Sequence, residues 1–191
     1  GENSAGSLMY QWWPYVDDDA QMMRDVYTNE LDPRLPIYHD GTKAVDGVTE
    51  FYSQWKYQAR NADVKMTLSG EMKLIEAEVL WRQGDLPGAL AALNFLRTRA
   101  GLTAHDATTD SDLVFEYFMH EMFAELFMEG RRFGYLHRLG QVEEIFGALN
   151  DPDRPLPRPT KWAISSGEAQ YNPNLTDAAA DRCLPMSGSS F

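Results

Sequence analysis

A chain of 191 residues with 43% apolar content is long enough to bury one ordinary globular core. Seventeen basic against twenty-nine acidic residues leave a formal charge of −12 and no long Lys/Arg run, which argues against a nucleic-acid partner and against an anionic membrane surface. The single cysteine, Cys183, excludes an internal disulfide and a multi-cysteine zinc site, and no apolar run approaches the ~20 residues that span a bilayer.

The chain begins at Gly1 without Met, with no basic stretch and no apolar leader, and we read that start as the edge of a processed form or of a piece of a longer protein. After a small, polar opening it turns aromatic at Tyr10, Trp12, Trp13 and Tyr15. Flat, weakly polar rings can stack on sugar faces while nearby Asn and Asp bond hydroxyls, and the same rings can equally plug a core. Trp12, Trp13 and Tyr15 are therefore candidate ligand contacts. The acidic run Asp17 to Asp19 suits a helix N-terminus, and Met22, Met23, Val26 and Tyr27 behind it have helical spacing, so a helix is predicted there, stopped by "DPRLP" at 32 to 36. From Pro36 to Thr67 no period dominates; His39, Gly41 and Gly47 suggest turns, and short strands fit around Phe51, Trp55 and Tyr57.

The clearest pattern begins at Ser69, a candidate N-cap, with Met72, Ile75, Ala77, Val79 and Leu80 on or near one face. "GD" at 84 and 85 ends that helix and caps a second, whose apolar set Leu86, Ala89, Leu90, Leu93, Leu96 and Ala100 runs to Gly101, placed just past the helix end. So short a connection makes the two antiparallel. A third helix is predicted from Asp110 to Met128, then a further turn or two over "RRFGYLHRLG" and a short helix from Gln141 to Leu149. Pro152, Pro155, Pro157 and Pro159 mark a loop, and a turn-rich tail follows. Hairpins joined by "GD" invite a search for a tetratricopeptide period, and one hairpin rather than an array emerges.

Glu121, Glu125 and Glu129 stand four residues apart, on one helical face. Either they form a solvated stripe, at ~0.2–0.5 kcal/mol of repulsion per exposed pair, or Arg131, Arg132 and Arg138 partner them in a structural clamp, which we favour. Catalytic patterns fail to appear. "HEMFA" at His120 lacks the second zinc ligand, because Ala124 occupies its place, and His39, His105, His120 and His137 show no metal spacing. There is no nucleophile elbow, no phosphate loop and no dinucleotide fingerprint, so no cofactor is expected. Asn174 heads a formal glycosylation sequon. Paired carboxylates for glycoside chemistry stay open, since their separation is spatial.

"LIEAEVLWRQGDLPGALAALNFLRTRAGL" followed by "HEMFAELFMEGRRFGYLHRLG" resembles the carboxy-terminal part of the SusD/RagB family. The resemblance rests on Asn94, Arg97, Arg99 and Gly101, then on Glu121, Glu125, Leu126, Glu129, Gly130 and Arg132, closed by Leu136 and Arg138; "DPRL" at 32 to 35 and "ISSGEAQYNPNL" at 164 to 175 look like further landmarks. Met122 stands where the family usually has arginine and Tyr135 where it usually has aspartate, which thins the clamp. The resemblance implies a mainly α-helical, irregular SusD-like fold with tetratricopeptide-like hairpins and long loops. It makes residues 1–191 the C-terminal portion of a SusD/RagB-like domain whose N-terminal part lies outside this chain.

It implies binding rather than catalysis: a bacterial outer-membrane, cell-surface lipoprotein, anchored by a lipid outside this chain. Such a protein captures an oligosaccharide or other nutrient and passes it to a SusC-like TonB-dependent transporter. Glu121, Glu125, Glu129, Arg132 and Arg138 would then be architectural, with recognition left to variable loops. Two other readings stay open, a helical protein-interaction module whose aromatics are all core, and a glycoside hydrolase. If further helices normally cover Phe115, Phe118 and Phe123, this chain alone should expose an apolar patch there.

Overall fold

A computed structural model describes residues 15–43, 47, 50–59, 61–63 and 66–148. Trp12, Trp13, the proline-rich loop, the sequon, Cys183 and the tail lie outside the described residues. The chain divides into two compact units, Gly1–Leu136 and His137–Phe191.

In the first unit the acidic run makes a hairpin where spacing predicts a helix. Strand β1 (Val16–Asp17) pairs antiparallel with β2 (Met22–Met23), Val16 opposite Met23. The Asp17 carboxylate accepts the Ala20 N–H at 2.9 Å, and Gln21 takes a φ of 56°. Short acidic side chains that bond backbone two or three residues on favour turns over helices, and Asp17 does so here. Asp25 repeats the device, accepting the Tyr27 and Thr28 N–H groups, while Arg24 bridges to Leu31. Met23 is buried at the centre of this corner. Further on, β3 (Ile37–Lys43) runs through His39 and Gly41, where the sequence suggests turns, and pairs antiparallel with β4 (Glu50–Gln54), which takes in Phe51 as expected but ends before Trp55 and Tyr57; His39 lies opposite Tyr52, with a register shift between His39 and Lys43.

Three helices carry the core. Helix α1 (Ser69–Arg82) packs on α2 (Leu86–Arg99), and both pack on α3 (Ser111–Glu125). Leu74 and Ala77 of α1, Ala89, Leu93 and Leu96 of α2, and Val114, Phe118 and Met122 of α3 are buried. Each large apolar side chain sealed this way contributes about 1.5–3 kcal/mol relative to exposure. Phe118 and Phe123 are buried within this chain and Phe115 stacks on Trp81 at 4.8 Å, which corrects the expected exposed patch. Trp81 also donates to the Ser111 carbonyl at 3.1 Å, tying the end of α1 to the start of α3.

The helix ends follow their residues with two exceptions. Gly84, at φ 81°, turns the chain out of α1, and Asp85 caps α2 by accepting the Gly88 N–H at 3.0 Å. Asp110 caps α3 through the Asp112 and Leu113 N–H groups. Ser69, expected as an N-cap, is instead the first helical residue after Leu68, and its hydroxyl accepts from Arg99 at 3.2 Å. Helix α3 stops at Glu125, earlier than spacing suggests, because Met128 at φ 61° and Gly130 at φ 70° fold the chain into a turn. Helix α4 (Arg132–Leu139) crosses the boundary between the units, and α5 (Val142–Ala148) lies in the second.

The cap at Asp85 is separable from the rest of the fold. Replacing it with alanine should cost about 1 kcal/mol, read as a lower urea midpoint with unchanged slope. A midpoint equal to that of the parent would show that the α1–α2 turn is held by packing alone.

Candidate functional site

A polar cluster centred on Arg97 is buried in the first unit. Arg97, on α2, has no exposed surface, and its guanidinium forks onto Asp25 at 2.8 and 3.1 Å, reaches Glu121 at 3.0 Å and bonds the Thr103 carbonyl at 2.6 Å. Arg34, from the loop after β2, holds Asp32 through Nε at 3.0 Å and Nη2 at 2.7 Å, and extends Nη1 to the second Glu121 oxygen at 2.7 Å. Glu121 is thus shared between two arginines, a charge-assisted arrangement roughly twice as strong as neutral hydrogen bonds. Planar guanidinium is the group suited to such forks.

Around this core the sequence landmarks acquire roles. Asn94 clamps the loop after α2 by donating to the His105 carbonyl at 3.1 Å and accepting the His105 N–H at 2.7 Å. Arg99 pairs with Glu125 and bonds Ser69. Gly70, in the first turn of α1, leaves room for that pair, since a side-chain carbon there would push the Glu125 carboxyl aside. Glu129 pairs with Lys56 at 2.7 Å, and Lys56 also donates to the Phe127 carbonyl at 2.6 Å. Arg34, Arg97, Arg99 and Lys56 hold the three glutamates, and all four come from residues earlier in the chain.

After Gly130 the turn at Met128 to Gly130 redirects the chain. Arg131 donates to the Met66 carbonyl at 2.7 Å and lies 3.8 Å from Glu71. Arg132 covers the Phe123 ring at 4.8 Å. Arg138 lies on the part of α4 that belongs to the second unit.

Aromatic rings line the cluster. His105 stacks on Tyr117 at 3.7 Å, and the Tyr27 ring meets His105, Tyr117 and His120 edge-on at 5.1, 4.9 and 5.3 Å. His120 Nε2 lies 2.8 Å from Asp25. Asp25, Asp32 and His120 bring one ligand atom each within 4.8 Å of one another, a grouping that sequence spacing did not reveal. Their chemistry fits a metal poorly: Asp25 already accepts from Arg97, His120, Thr28 and two backbone N–H groups, Asp32 from Arg34, and two guanidiniums would repel a cation.

The same bonds fix the protonation states. Burial works against charge on Asp25, but hydrogen bonds from His120 and Arg97 outweigh it and hold the carboxyl well below the ordinary range. For Glu121 burial again opposes charge, and the neighbouring His105 and Arg34 prevail, bringing it to about 2. Burial pushes His105 down from the ordinary 6.5. A general acid for glycoside cleavage needs a raised carboxyl pKa; Asp25 and Glu121 are shifted the opposite way, so this cluster supplies structure rather than proton transfer.

The candidate ligand residue within the described set, Tyr15, sits elsewhere. It precedes β1, its carbonyl accepts the Arg24 N–H at 2.6 Å, and it lines an open cavity of about 610 Å³ with the Asp17 to Asp19 turn, Arg24 and Asn29. A second cavity, of about 290 Å³, runs beside the clamp between Pro33, Pro36, Lys56, Leu68 and Arg99.

Two measurements probe the cluster. Removing Arg97 as Arg97→Met strands Asp25 and Glu121 without their shared cation, and breaking a buried pair costs about 3–5 kcal/mol; denaturant titration should show a loss of that size, and a change below about 1 kcal/mol would mean the pairs are solvated. The pH dependence has two limbs. His105 has a folded pKa below its unfolded one, so the unfolded chain takes the proton first, and stability present above 6.5 is lost as pH falls through that value. Glu121 is depressed from 4.5 to about 2 and Asp25 is also lowered, so their contribution is present above about 4.5 and lost below it. Thermal melts from pH 8 to 3 should show both limbs, and His105→Gln should remove the upper one and, by taking a donor from Glu121, shrink the lower one while leaving it present.

A comparison with family models matches residues 19–180 to the SusD family. Among solved structures, the chain is similar to the crystal structure of a SusD superfamily protein from Bacteroides vulgatus ATCC 8482, with 22% identity and a TM-score of 0.51. That match covers 70% of this chain and 34% of the other, so the chain corresponds to about a third of that protein's length. No curated protein sequence matches. The SusD family is one of binding proteins rather than enzymes. With the family model spanning 162 of 191 residues, and with "DPRL", Arg97 and Glu121 meeting in one buried network, this chain belongs to the SusD family.

Proposed function

We infer that this chain is part of a non-catalytic, cell-surface nutrient-binding protein of the bacterial outer membrane. It captures an oligosaccharide or other nutrient and delivers it to a SusC-like TonB-dependent transporter. Its attachment is a lipid anchor outside the described residues; among those residues no helix is long and apolar enough to cross a membrane. The observation that carries this reading is the family match over residues 19–180. The chemistry of the cluster supports it, since Glu121 and Asp25 are committed to arginines and held ionised. In this reading Glu121, Glu125, Glu129, Arg132 and Arg138 are a scaffold, the α1–α2 pair is a tetratricopeptide-like hairpin, and Trp12, Trp13 and Tyr15 contact ligand.

A second reading, a helical module that docks a protein, has one observation in its favour. Met72, Ile75 and Val79 lie on one side of α1 and are nearly half exposed, as is Phe95 on α2. Exposed apolar groups in this number mark an interaction surface when they are contiguous.

Binding of the intact protein to a panel of polysaccharides and peptide pools separates the two. The nutrient reading expects saturable binding to at least one glycan or peptide pool, weakened at least tenfold by Trp12→Ala, Trp13→Ala or Tyr15→Ala with an unchanged melting temperature. No binding across the panel, together with a lower melting temperature in the same variants, would favour the docking module and overturn the nutrient reading.

A further inference from the structure

We propose that the segment from Leu102 to His105, which leaves the end of α2 and crosses the buried ion network, is an acid-released strap. It stays docked while His105 is neutral and lifts as a unit, ahead of the helices beneath it, when His105 takes a proton. Residues 102–110 join α2 to α3 without regular secondary structure, and among them only Leu102 and His105 are buried. One titratable ring therefore supplies half of the strap's buried anchorage.

A few bonds pin it. The Leu102 N–H donates to the Arg97 carbonyl at 3.0 Å, and Arg97 Nε donates to the Thr103 carbonyl at 2.6 Å. Thr103 in turn gives its N–H and its hydroxyl to Glu30, at 2.8 and 2.7 Å, while Asn94 holds both backbone groups of His105. The imidazole lies flat on Tyr117 at 3.7 Å, with Tyr27 edge-on at 5.1 Å. Its Nε2 is buried 3.6 Å from Glu121 Oε1, too far for a strong hydrogen bond.

A proton on that ring meets a crowded charge balance. From α3, Glu121 draws the proton, but its two oxygens already serve Arg97 from α2 and Arg34 from the "DPRL" loop. Asp25, from the corner after β2, is committed to Arg97 and His120. Tyr27 and Tyr117 are neutral phenols, both pushed up by burial. Burial is the largest force against a charged His105, Arg97 and His120 repel it, and the balance falls below the ordinary 6.5 despite Glu121. A lifted ring, returned to water, takes its proton near 6.5, so acid favours the lifted state as pH falls below that value. Asp25 and Glu121 stay ionised in this range, because both are held low. Bonds from Thr103 lower Glu30 in the same way, so its hold is present above 4.5 and lost at lower pH. Lifting the strap exposes little besides Leu102 and His105, whereas moving α3 would break the pairs of Arg97 and Arg34 to Glu121. The opening is therefore local.

Amide hydrogen exchange of the intact protein, read residue by residue by NMR in steps from about pH 7.5 to about pH 5 and corrected for intrinsic rates, tests the strap. Opening at the Leu102, Thr103 and His105 amides should rise by up to about thirtyfold, the limit of tenfold per pH unit below 6.5, while amides at Leu93 of α2 and Met122 of α3 keep their protection. The rise should begin near 6.5 and level off where the His105 ring itself titrates in the same spectra. His105→Gln keeps the backbone bonds to Asn94 but takes no proton, and should hold strap opening constant over the range. Asn94→Ala changes no charge, and should raise strap opening at every pH while keeping its pH slope. Strap opening that ignores pH, that is matched by equal opening in α2 and α3, or whose pH dependence survives in His105→Gln overturns the proposal. So does a rise in the parent protein that is not bounded by those two pH values, a criterion that needs no variant.

Discussion

One guanidinium decides how the first unit is assembled. Arg97 lies at the C-terminal end of α2, where it is sealed from solvent, and it can be so buried only because Asp25, Glu121 and the Thr103 carbonyl reach it from three separate segments. Taking two opposite charges out of water costs several kcal/mol each, recovered only with good geometry and full hydrogen bonding. The corner around β2, the loop after α2 and the middle of α3 must therefore arrive together at fixed positions. Hydrophobic burial supplies most of the driving force for that assembly, and the ion network supplies its registration, since Leu or Met in the same place would tolerate a sliding α3.

Arg34 extends the same logic outward. It joins the "DPRL" loop to α3 through Glu121, lies 3.7 Å from Glu125, and passes the charge balance on to Arg99 and to the start of α1. Gly70 lies against this network: the Glu125 carboxyl occupies the space a side chain there would need, so a larger residue would have to displace that carboxyl. Three landmarks far apart in sequence are in this way one object in space. The shared carboxylate, Glu121, is the reason a change at any of them would be felt at the others.

The three core helices were legible because their signals are local. "GD" at 84 and 85 carries both a positive-φ residue and a cap, and apolar steps of three and four residues mark the faces of α2 and α3 without reference to anything distant. The acidic run at 17 to 19 misled for an equally local reason: carboxylates near a helix start and carboxylates that close a turn look alike until the backbone they bond is known, and Asp17 bonds Ala20 within a hairpin. The clamp was half visible. Periodicity put Glu121 and Glu125 on one face, yet it offered partners from the next turn of chain, whereas the arginines that reach them lie 24 to 91 residues earlier. Asp25 and His120 gave no signal, because a buried acid and a buried imidazole 95 residues apart have no sequence spacing to betray them. Only the resemblance, through Arg97 and "DPRL", pointed at the right residues, and it did so without saying what they touch.

The distribution of satisfied and exposed acceptors divides the first unit into an interior that depends on its charges and a rim that does not. Every carboxylate of the interior network is bonded to several donors; a change there strands a buried charge, at a cost comparable to a large fraction of the stability of an ordinary domain. On the rim of the β1–β2 hairpin the opposite holds, since Asp18, Asp19 and Asn29 are exposed and support little besides the His39 backbone bond. Substitutions at exposed positions without such partners usually move stability by less than ~0.5 kcal/mol. Charge on that rim can therefore change without disturbing Arg97, whereas the interior network admits no such freedom.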